Sequence, residues 1–392
     1  MNKMSYSSFY EFYKNWQFHD ARNDGELINM EYKYQKKGKV YTLEGGHKMT
    51  KYRLLILLLL FFAISFSWAK EALALTNQLT EASTQFTRID KTFISQGDKL
   101  KAWLYLPSGV LTPPVVIMAH GFGGQRWMRL PAYAERFAQM GMAVFVFDYR
   151  GFNDSEGEPR NYVNPARHLE DWDAAIAYVK TLNTVDAKRM ALWGTSFSGG
   201  HVIVEAAKYP EISAVVAQVP FTDGISTAWN NYILDDPMFA LKGTYHGVAD
   251  ILVSLFTKHR HNVRIAGRPG EAFAMMSKPD SMQGVLKLTG ISDEKDFEST
   301  NFCPGNIVFT LTFYRPISRA NKVACPALII GAEKDTLFPP KGPKKMADKM
   351  KKATYISMPM GHFDPYVGEP FQKLVKIMGD FLKTNLRVSS AK

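Results

Sequence analysis

The stretch Ala191-Leu192-Trp193-Gly194-Thr195-Ser196-Phe197-Ser198-Gly199-Gly200-His201 decides the fold. An apolar run ends in Gly-x-Ser, and a cluster of small residues follows before a helix-like segment. This pattern predicts a strand-to-helix elbow that holds the Ser196 hydroxyl clear of the backbone as a nucleophile. The backbone of such a turn is strained, so close neighbours must be small. Gly194 meets this demand, and Ser198 stands where glycine is usual. A glycine-rich turn without chemistry has a similar pattern, so other residues must corroborate the prediction.

An aspartate and a histidine much further along the chain fit the two partners that a serine nucleophile needs. A serine hydroxyl is a poor nucleophile until a base takes its proton. In this arrangement an acid and then a histidine follow the serine along the chain. Asp335 lies just past the apolar run 326–332, and His362 lies in the loop after the run 354–358. Order and loop position therefore predict Asp335 and His362 as the partners of Ser196.

Other acidic residues compete for the place of the acid. Glu333 is the nearest alternative, and Asp223, which follows an earlier strand, is a second. Asp364 is too close to His362 along the chain to orient its ring. A lone aspartate after a strand is also a common turn former or helix cap. The acid is therefore predicted as Asp335, with Glu333 and Asp223 left as alternatives.

A glycine-rich loop after another apolar run is suited to bind an oxyanion. The run 114–119 leads into His120-Gly121-Phe122-Gly123-Gly124, whose glycines let backbone amides approach a developing negative charge. The predicted donors are the backbone N–H groups of Phe122 and Phe197, the residue after the nucleophile. His120 is predicted to be structural, because one general base suffices.

Together these segments resemble the α/β-hydrolase superfamily, and more narrowly the bacterial dienelactone-hydrolase-like and X-Pro-dipeptidyl-peptidase-like hydrolases. The resemblance runs from about residue 85 to the C-terminus. It implies an α/β-hydrolase fold, and it says little about substrate because this fold carries many chemistries. The matching segments are His120-Gly121-Phe122-Gly123-Gly124, Phe147-Asp148-Tyr149-Arg150-Gly151-Phe152, Leu192 to His201, Val216-Ala217-Gln218-Val219-Pro220-Phe221 and Gly361-His362-Phe363-Asp364-Pro365-Tyr366.

The remaining pattern predicts an α/β protein with a mostly parallel central sheet, helices on both faces and a helical cap insertion. Continuous apolar strands alternate with amphipathic helices in 85–221 and again in 322–386, which form the predicted core. Strands are expected in 86–106 and at 114–119, 143–148, 188–193, 213–219, 327–331 and 353–358. Helices are expected at 129–140, 164–181, 197–208, 341–351 and from 368.

The insertion, residues 222–321, is predicted to cover the active site. It leaves the sheet at the edge where the strand C-termini place Ser196. Aromatic and methionine side chains can form an adaptable apolar pocket, although they can equally fill a small core of their own. These side chains belong to Trp229, Tyr232, Met238, Phe239, Tyr245, Phe256, Met275, Met276 and Phe302.

The N-terminal segment 49–69 has the pattern of a secretory signal. The basic residues Lys51 and Arg53 precede an apolar core from Leu54 to Ile64, and small residues follow at Ser67 and Ala69. If 54–69 is not cleaved, it is a membrane anchor. We hypothesise that translation starts at Met49 and that 1–48 is translated upstream sequence; the alternative is the cytoplasmic tail of an anchored protein. The expected location is secreted or periplasmic, or membrane-anchored with the catalytic domain outside the cytoplasm.

Composition narrows the possible partners. The chain has 392 residues and 46% hydrophobic content, enough for one large α/β domain. The net charge of +11 has no concentrated basic tract in the predicted core, so no nucleic-acid site is expected. The two cysteines, Cys303 and Cys325, show no metal-ligand spacing, and no metal or cofactor is predicted. A disulfide between them stays open, although Cys325 at a buried strand start favours a free thiol.

The sequence thus predicts a serine hydrolase that cleaves the carboxylic ester of a small-molecule acyl substrate. An acyltransferase or a peptidase would use the same three residues. A binding module that has lost catalysis is the alternative from another class. The oligomeric state is not predicted.

Overall fold

The computed structural model describes residues 31–36, 39–44, 65, 68, 70 and 86–388. The predicted signal or anchor, 49–69, lies outside the described residues except at Ser65 and Trp68. No helix within the described ranges is long and apolar enough to cross a membrane.

The chain divides into two units, Met1–Ala82 and Ser83–Lys392. In the first unit, the strands β1 (Glu31–Lys36) and β2 (Lys39–Glu44) form an antiparallel hairpin. This hairpin falls within the segment 1–48 that the sequence analysis sets apart from the fold.

The second unit contains a large sheet and a small one. In chain order its strands are β3 (Phe86–Ser95), β4 (Asp98–Pro107), β5 (Pro114–Ala119), β6 (Ala143–Phe147), β7 (Asp186–Thr195), β8 (Ala214–Gln218), β9 (Asn262–Ala266), β10 (Ala274–Met276), β11 (Cys303–Pro304), β12 (Ala327–Ala332) and β13 (Ala353–Met358). The large sheet has the order β13-β12-β8-β7-β5-β6-β4-β3. Its neighbours are parallel from β13 to β6, and β4 and β3 are antiparallel to their neighbours.

The helices of the second unit alternate with these strands. They are α1 (Leu130–Gln139), α2 (Pro165–Lys180), α3 (Phe197–Lys208), α4 (Gly224–Ala228), α5 (Pro237–Phe256), α6 (Ser281–Thr289), α7 (Glu294–Glu298), α8 (Ile307–Phe313), α9 (Gly342–Ala347) and α10 (Gly368–Asn385). A π-helical turn, Trp229–Ile233, follows α4.

Strand composition explains the order of the large sheet. Strands β5, β6, β8 and β12 are buried at every residue, as expected of parallel strands covered on both faces. Strand β4 next to the edge strand instead alternates between buried and more exposed residues. The mostly parallel sheet predicted from the sequence is therefore confirmed.

Helices cover both faces of the sheet, as predicted. One apolar cluster joins one face to α2, α3 and α9, through residues such as Trp172, Ile203 and Met346. A second joins the other face to α1 and α10, through residues such as Phe137 and Met378. Continuous apolar strands need this double cover because both of their faces must leave water.

The insertion 222–321 is less helical than predicted. Besides α4 to α8 it contains a three-stranded sheet of order β10-β9-β11. These strands are two to five residues long, so their pattern is too short to distinguish from loop in the sequence. Cys303 in β11 and Cys325 before β12 are buried free thiols. Burial raises the pKa of the Cys325 thiol to about 11, so this thiol is protonated at neutral pH.

Candidate active site

Ser196 occupies a sharp turn between β7 and α3. Its φ of 56° and ψ of −120° lie in a region that L-residues seldom adopt. Two backbone hydrogen bonds hold the turn. The Ser196 N–H donates to the Gln218 carbonyl at 2.8 Å, and the Phe221 N–H donates to the Ser196 carbonyl at 2.8 Å. The end of β8 and the loop after it therefore fix this strained conformation.

The small neighbours of Ser196 each have a steric or polar reason. A Cβ at Gly194 would lie 2.2 Å from the Ser198 carbonyl oxygen, so the start of α3 can pack on β7 only if this residue is glycine. Ser198 is fully buried, and its hydroxyl oxygen accepts a hydrogen bond from the Tyr149 hydroxyl at 3.1 Å. This contact gives a physical reason for serine at the position where the elbow pattern usually has glycine.

The structure brings Ser196, His362 and Asp335 together in one hydrogen-bonded chain. The His362 Nε2 lies 3.0 Å from the Ser196 Oγ, and its Nδ1 lies 2.8 Å from the Asp335 Oδ2. With the imidazole proton on Nδ1, the ring donates to the carboxylate and accepts from the serine hydroxyl. The other Asp335 oxygen accepts the backbone N–H groups of Leu337 and Phe338, at 2.9 Å each. All three side chains are largely buried.

The alternative acids have other partners. Glu333 is exposed and accepts a hydrogen bond from the Ser357 hydroxyl at 2.9 Å. Asp223 caps α4 and forms an ion pair with Arg315 at 2.8 Å. The Asp364 carboxylate accepts the backbone N–H of Gly361 at 2.8 Å, and Asp364 is the first residue of a short 3₁₀ turn. Asp335 is therefore the acid whose hydrogen bond to the imidazole the structure records.

The glycine-rich loop lies directly against the serine. A Cβ at Gly121 would lie 2.9 Å from the Ser196 Cβ, which is closer than side-chain carbons approach. The rings of Phe122 and Phe197 meet edge to face, with centroids 5.8 Å apart. Phe197 is the first residue of α3, so its N–H has no carbonyl partner within the helix. The Phe122 and Phe197 amides stay the predicted oxyanion donors.

Buried charges anchor this loop to the rest of the fold. The Arg126 guanidinium pairs with the Asp148 carboxylate, and the Arg126 backbone N–H donates to the same carboxylate at 2.5 Å. The His120 Nε2 lies 3.5 Å from Asp148, and its ring packs edge to face on Tyr149. Burial lowers the pKa of His120, which favours the neutral ring. These contacts give His120 a supporting position at the base of the loop.

A pair of histidines, His168 and His201, lies behind the elbow, and it was not predicted from the sequence. His168 stacks on Tyr149 at 3.9 Å, and its Nδ1 lies 3.3 Å from the His201 Nε2. The His201 Nδ1 lies 2.7 Å from the Tyr314 hydroxyl. Burial lowers the pKa of both histidines, that of His201 to about 3. Both rings are therefore neutral and pack on the Phe197 ring. The centroids of the His201 and Phe197 rings are 4.6 Å apart.

An apolar pocket opens over Ser196 and His362, between the glycine-rich loop and the insertion. It encloses about 540 Å³ of space, a volume that includes open solvent. Among the described residues, no Lys, Arg, Asp or Glu belongs to its lining. The insertion contributes Ile265, Met276, Val285, Leu288 and Phe297 to this lining.

The composition of this lining corrects part of the sequence analysis. Of the aromatic and methionine residues expected to form the pocket, Met276 lines it. Trp229, Met238, Tyr245 and Phe256 are instead more than half exposed. The pattern of large apolar residues therefore marked two different surfaces, and sequence alone does not separate them because either surface needs apolar side chains.

The insertion contacts both loops that carry the partners of Ser196. The Asp280 carboxylate, at the start of α6, accepts the Thr336 hydroxyl at 2.7 Å, next to Asp335. Phe363, next to His362, belongs to one apolar cluster with Val285 of α6. The insertion is therefore attached to the acid loop by a hydrogen bond and to the histidine loop by packing.

A mostly parallel sheet covered on both faces, with a nucleophile-elbow geometry at the end of β7, defines an α/β hydrolase. The comparison with known proteins identifies the family. Residues 96–364 match the X-Pro dipeptidyl-peptidase (S15 family), and the chain belongs to this family. The protein is a hydrolase, as the sequence predicted.

Individual relatives extend this result. Quorum-quenching protein AidA of Acinetobacter baumannii (strain MDR-ZJ06) is 37% identical over 295 residues, 75% of this chain and 94% of the relative. Polyketide transferase grgF of a Penicillium species is 31% identical over 145 residues, 37% of this chain and 47% of the relative. The crystal structure of the alpha/beta hydrolase GrgF from Penicillium sp. sh18 superposes with a TM-score of 0.63 at 22% identity, over 77% of this chain and 99% of that chain. This structural likeness supports the fold.

Replacing the acid tests which carboxylate orients His362. We expect Asp335→Asn to lower kcat roughly 10³- to 10⁴-fold, because an amide cannot hold the imidazole in the required tautomer or stabilise its charged form. Glu333→Gln is the matched control and should change kcat less than about twofold, since its partner is Ser357. Hydrolysis of p-nitrophenyl acetate measures both variants. A large loss in Glu333→Gln with little change in Asp335→Asn would reassign the acid.

Proposed function

We propose that Ser196, His362 and Asp335 form the catalytic triad of a serine hydrolase that cleaves carboxylic esters. The observation that carries the proposal is the continuous chain from the Ser196 Oγ through the His362 ring to Asp335, with contacts of 3.0 and 2.8 Å. Ser196 and His362 line an apolar pocket, where the carbonyl carbon of a substrate can reach the Ser196 hydroxyl.

The proposed reaction has two steps. The Ser196 Oγ attacks the acyl carbon while the His362 Nε2 takes its proton, and the Asp335 carboxylate stabilises the imidazolium. The Phe122 and Phe197 amides hold the oxyanion. Collapse of the tetrahedral intermediate breaks the ester bond, and His362 protonates the leaving alcohol. Water then attacks the acyl-enzyme with the same base, releasing the acid and restoring Ser196.

The pocket favours a neutral acyl group of modest size. Its lining offers mostly apolar side chains together with Ser196 and His362, and among the described residues it includes no Lys, Arg, Asp or Glu that could pair with a carboxylate or an amine. Burying an unpaired charge there would be costly, whereas each buried methylene contributes about 0.8 kcal/mol. We propose that the insertion, residues 222–321, acts as the cap that forms this acyl site.

Acyl transfer is the second candidate function. A transferase uses the same acyl-enzyme and differs only in the nucleophile that releases the acyl group. The name of the relative grgF, a polyketide transferase, favours this candidate. Two further names bear on the substrate. AidA is called a quorum-quenching protein, and the name of the X-Pro dipeptidyl-peptidase family points to an amide bond as the bond that is cleaved. A catalytically silent binding module is the remaining alternative.

Substitution of the nucleophile tests the enzyme against the silent module. We expect Ser196→Ala to lower hydrolysis of p-nitrophenyl acetate by a factor of at least about 10⁴, because the acyl-enzyme cannot form. A fluorophosphonate probe should label the folded wild-type chain and leave the variant unlabelled, with equal melting temperatures for the two. An unlabelled wild-type chain would rule out the serine hydrolase. Release of labelled ester in place of acid when alcohols are added would favour the transferase.

Narrowing the pocket tests the acyl site of the cap. Leu288 lines the pocket and Lys287 beside it on α6 is exposed, so the two positions form a matched pair. We expect Leu288→Trp to lower kcat/KM for p-nitrophenyl hexanoate roughly tenfold more than for the acetate, because the indole occupies acyl space. Lys287→Trp should leave the ratio of the two substrates unchanged. Equal losses for hexanoate and acetate in Leu288→Trp would place the acyl chain elsewhere.

We further propose that the enzyme is secreted or periplasmic, with 49–69 as a cleaved signal. The basic flank, the apolar core and the small residues at Ser67 and Ala69 support this location. N-terminal sequencing of the chain from a periplasmic or culture fraction should begin after Ala69 or Ala74. A chain that begins before residue 54 and stays in the membrane fraction would show an anchored enzyme instead.

A further inference from the structure

Helix α5 of the insertion carries most of its large apolar side chains outward. Its inward face contains the small residues Gly243 and Gly247, Asp250, which pairs with Arg260, and the rings of Phe239 and His246, which pack on Phe273. A Cβ at Gly247 would lie 2.6 Å from atoms of Val308 and Phe309, so the helix lies very close to the layer beneath it. An ordinary surface helix places its large apolar residues inward and its polar residues outward. On α5, in contrast, most of the large apolar residues lie on the outward face.

Six of the exposed apolar residues of α5 follow a regular spacing of three and four, and Ile251 and Phe256 are exposed beside them. The six are between 44% and 69% exposed, although each is a large apolar side chain. We name this set the α5 seam: Met238, Leu241, Tyr245, Val248, Leu252 and Leu255. Apolar residues at alternating intervals of three and four form the narrow contact stripe of a coiled coil, where a second helix covers them.

Charges at the two ends of α5 indicate which helix covers the seam. Asp235, which pairs with Lys278, and Asp236, whose carboxylate caps α5, lie at its N-terminal end, and Lys258 and His259 follow its C-terminal end. An antiparallel pairing of two copies of α5 places the acidic end of one beside the basic end of the other. The helix dipoles of such a pair also oppose each other favourably.

The same charges argue against a lipid surface as the occupant. Helices that lie on membranes carry many Lys and Arg residues on their polar face, which attract anionic headgroups. Within α5 the single Lys or Arg residue is Lys242. The Asp236 carboxylate at the N-terminal end would be repelled by such headgroups.

We propose that two copies of this chain associate through an antiparallel pair of α5 helices. A two-fold axis near Tyr245 and Val248 places Leu241 of one copy opposite Leu252 of the other, so one surface serves both partners. The contact is about 30 Å long, the length of a 20-residue helix. This inference concerns assembly and does not depend on the proposed function.

The interface lies on the outer layer of the cap. Phe239 of α5 packs on Phe273 at 4.8 Å, and Phe273 immediately precedes β10, whose Met276 lines the catalytic pocket. Pairing of α5 would cover the outer side of the layer whose inner side forms the acyl site. The pocket itself stays open, because the α5 seam residues do not belong to its lining.

Sedimentation of the full chain tests the association. We expect the wild-type chain to sediment as a dimer at 10 to 100 µM, and Leu241→Glu with Leu252→Glu to raise the dimer Kd at least about 100-fold, because carboxylates would be buried in the contact. A matched control carries Ile94→Glu with Leu111→Glu, two exposed apolar positions elsewhere, and should stay dimeric. Equal melting temperatures and equal p-nitrophenyl acetate hydrolysis show that both variants fold.

Cross-linking tests the antiparallel orientation. Oxidation of the double variant Leu241→Cys with Leu252→Cys should give a covalent dimer, while each single variant should not, since 241 faces 252 of the partner. The native thiols Cys303 and Cys325 are buried and give the background. Cross-linking of the single variants would overturn the antiparallel pairing.

Three other outcomes would overturn the proposal. The first is a monomeric wild-type chain at 100 µM. The second is a dimer whose Kd the Leu241→Glu and Leu252→Glu pair leaves unchanged. The third is a chain that is monomeric alone but floats with vesicles of phosphatidylcholine and phosphatidylglycerol, and loses this binding in the same double variant.

Discussion

A serine can project from the start of a helix toward substrate only if the chain turns within one residue from strand into helix. In this protein Ser196 makes that turn at a φ of 56°, and contacts with the surrounding residues stabilise it. Gly194 lets α3 approach β7, and the backbone of Gln218 and Phe221 pins both sides of the turn. Because the turn lies at the C-terminal edge of a parallel sheet, the loops after β12 and β13 bring Asp335 and His362 to the same place.

The histidines packed around the elbow and the side chains that line the pocket are mostly uncharged. Burial lowers the pKa of His120, His168 and His201, so three imidazoles near the elbow pack without positive charge. Within the part of the chain that the structure describes, the pocket lining also contains no Lys, Arg, Asp or Glu. In such surroundings the backbone amides that we propose as oxyanion donors would act with little screening by water.

Sequence predicted the parts of this fold that local pattern determines. Helix α3 and strand β13 have the predicted limits, because a long apolar run or an elbow marks their ends. The chain order of Ser196, Asp335 and His362 was readable for the same reason. Two things were not readable. The short strands of the insertion have no period of their own, and the outward direction of the α5 residues depends on Gly243 and Gly247 fitting against a distant layer. Such tertiary contacts leave no local signature.

The hydrogen bond from Thr336 to Asp280 and the packing of Phe363 against α6 have a kinetic consequence. Moving the insertion away from the core would loosen the two loops that hold Asp335 and His362. If these residues form the proposed triad, a poorly fitting acyl group that keeps the insertion displaced would bind beside an incomplete one. Discrimination between acyl groups would then appear in kcat as well as in KM, so that a poor substrate occupies the enzyme without being turned over efficiently.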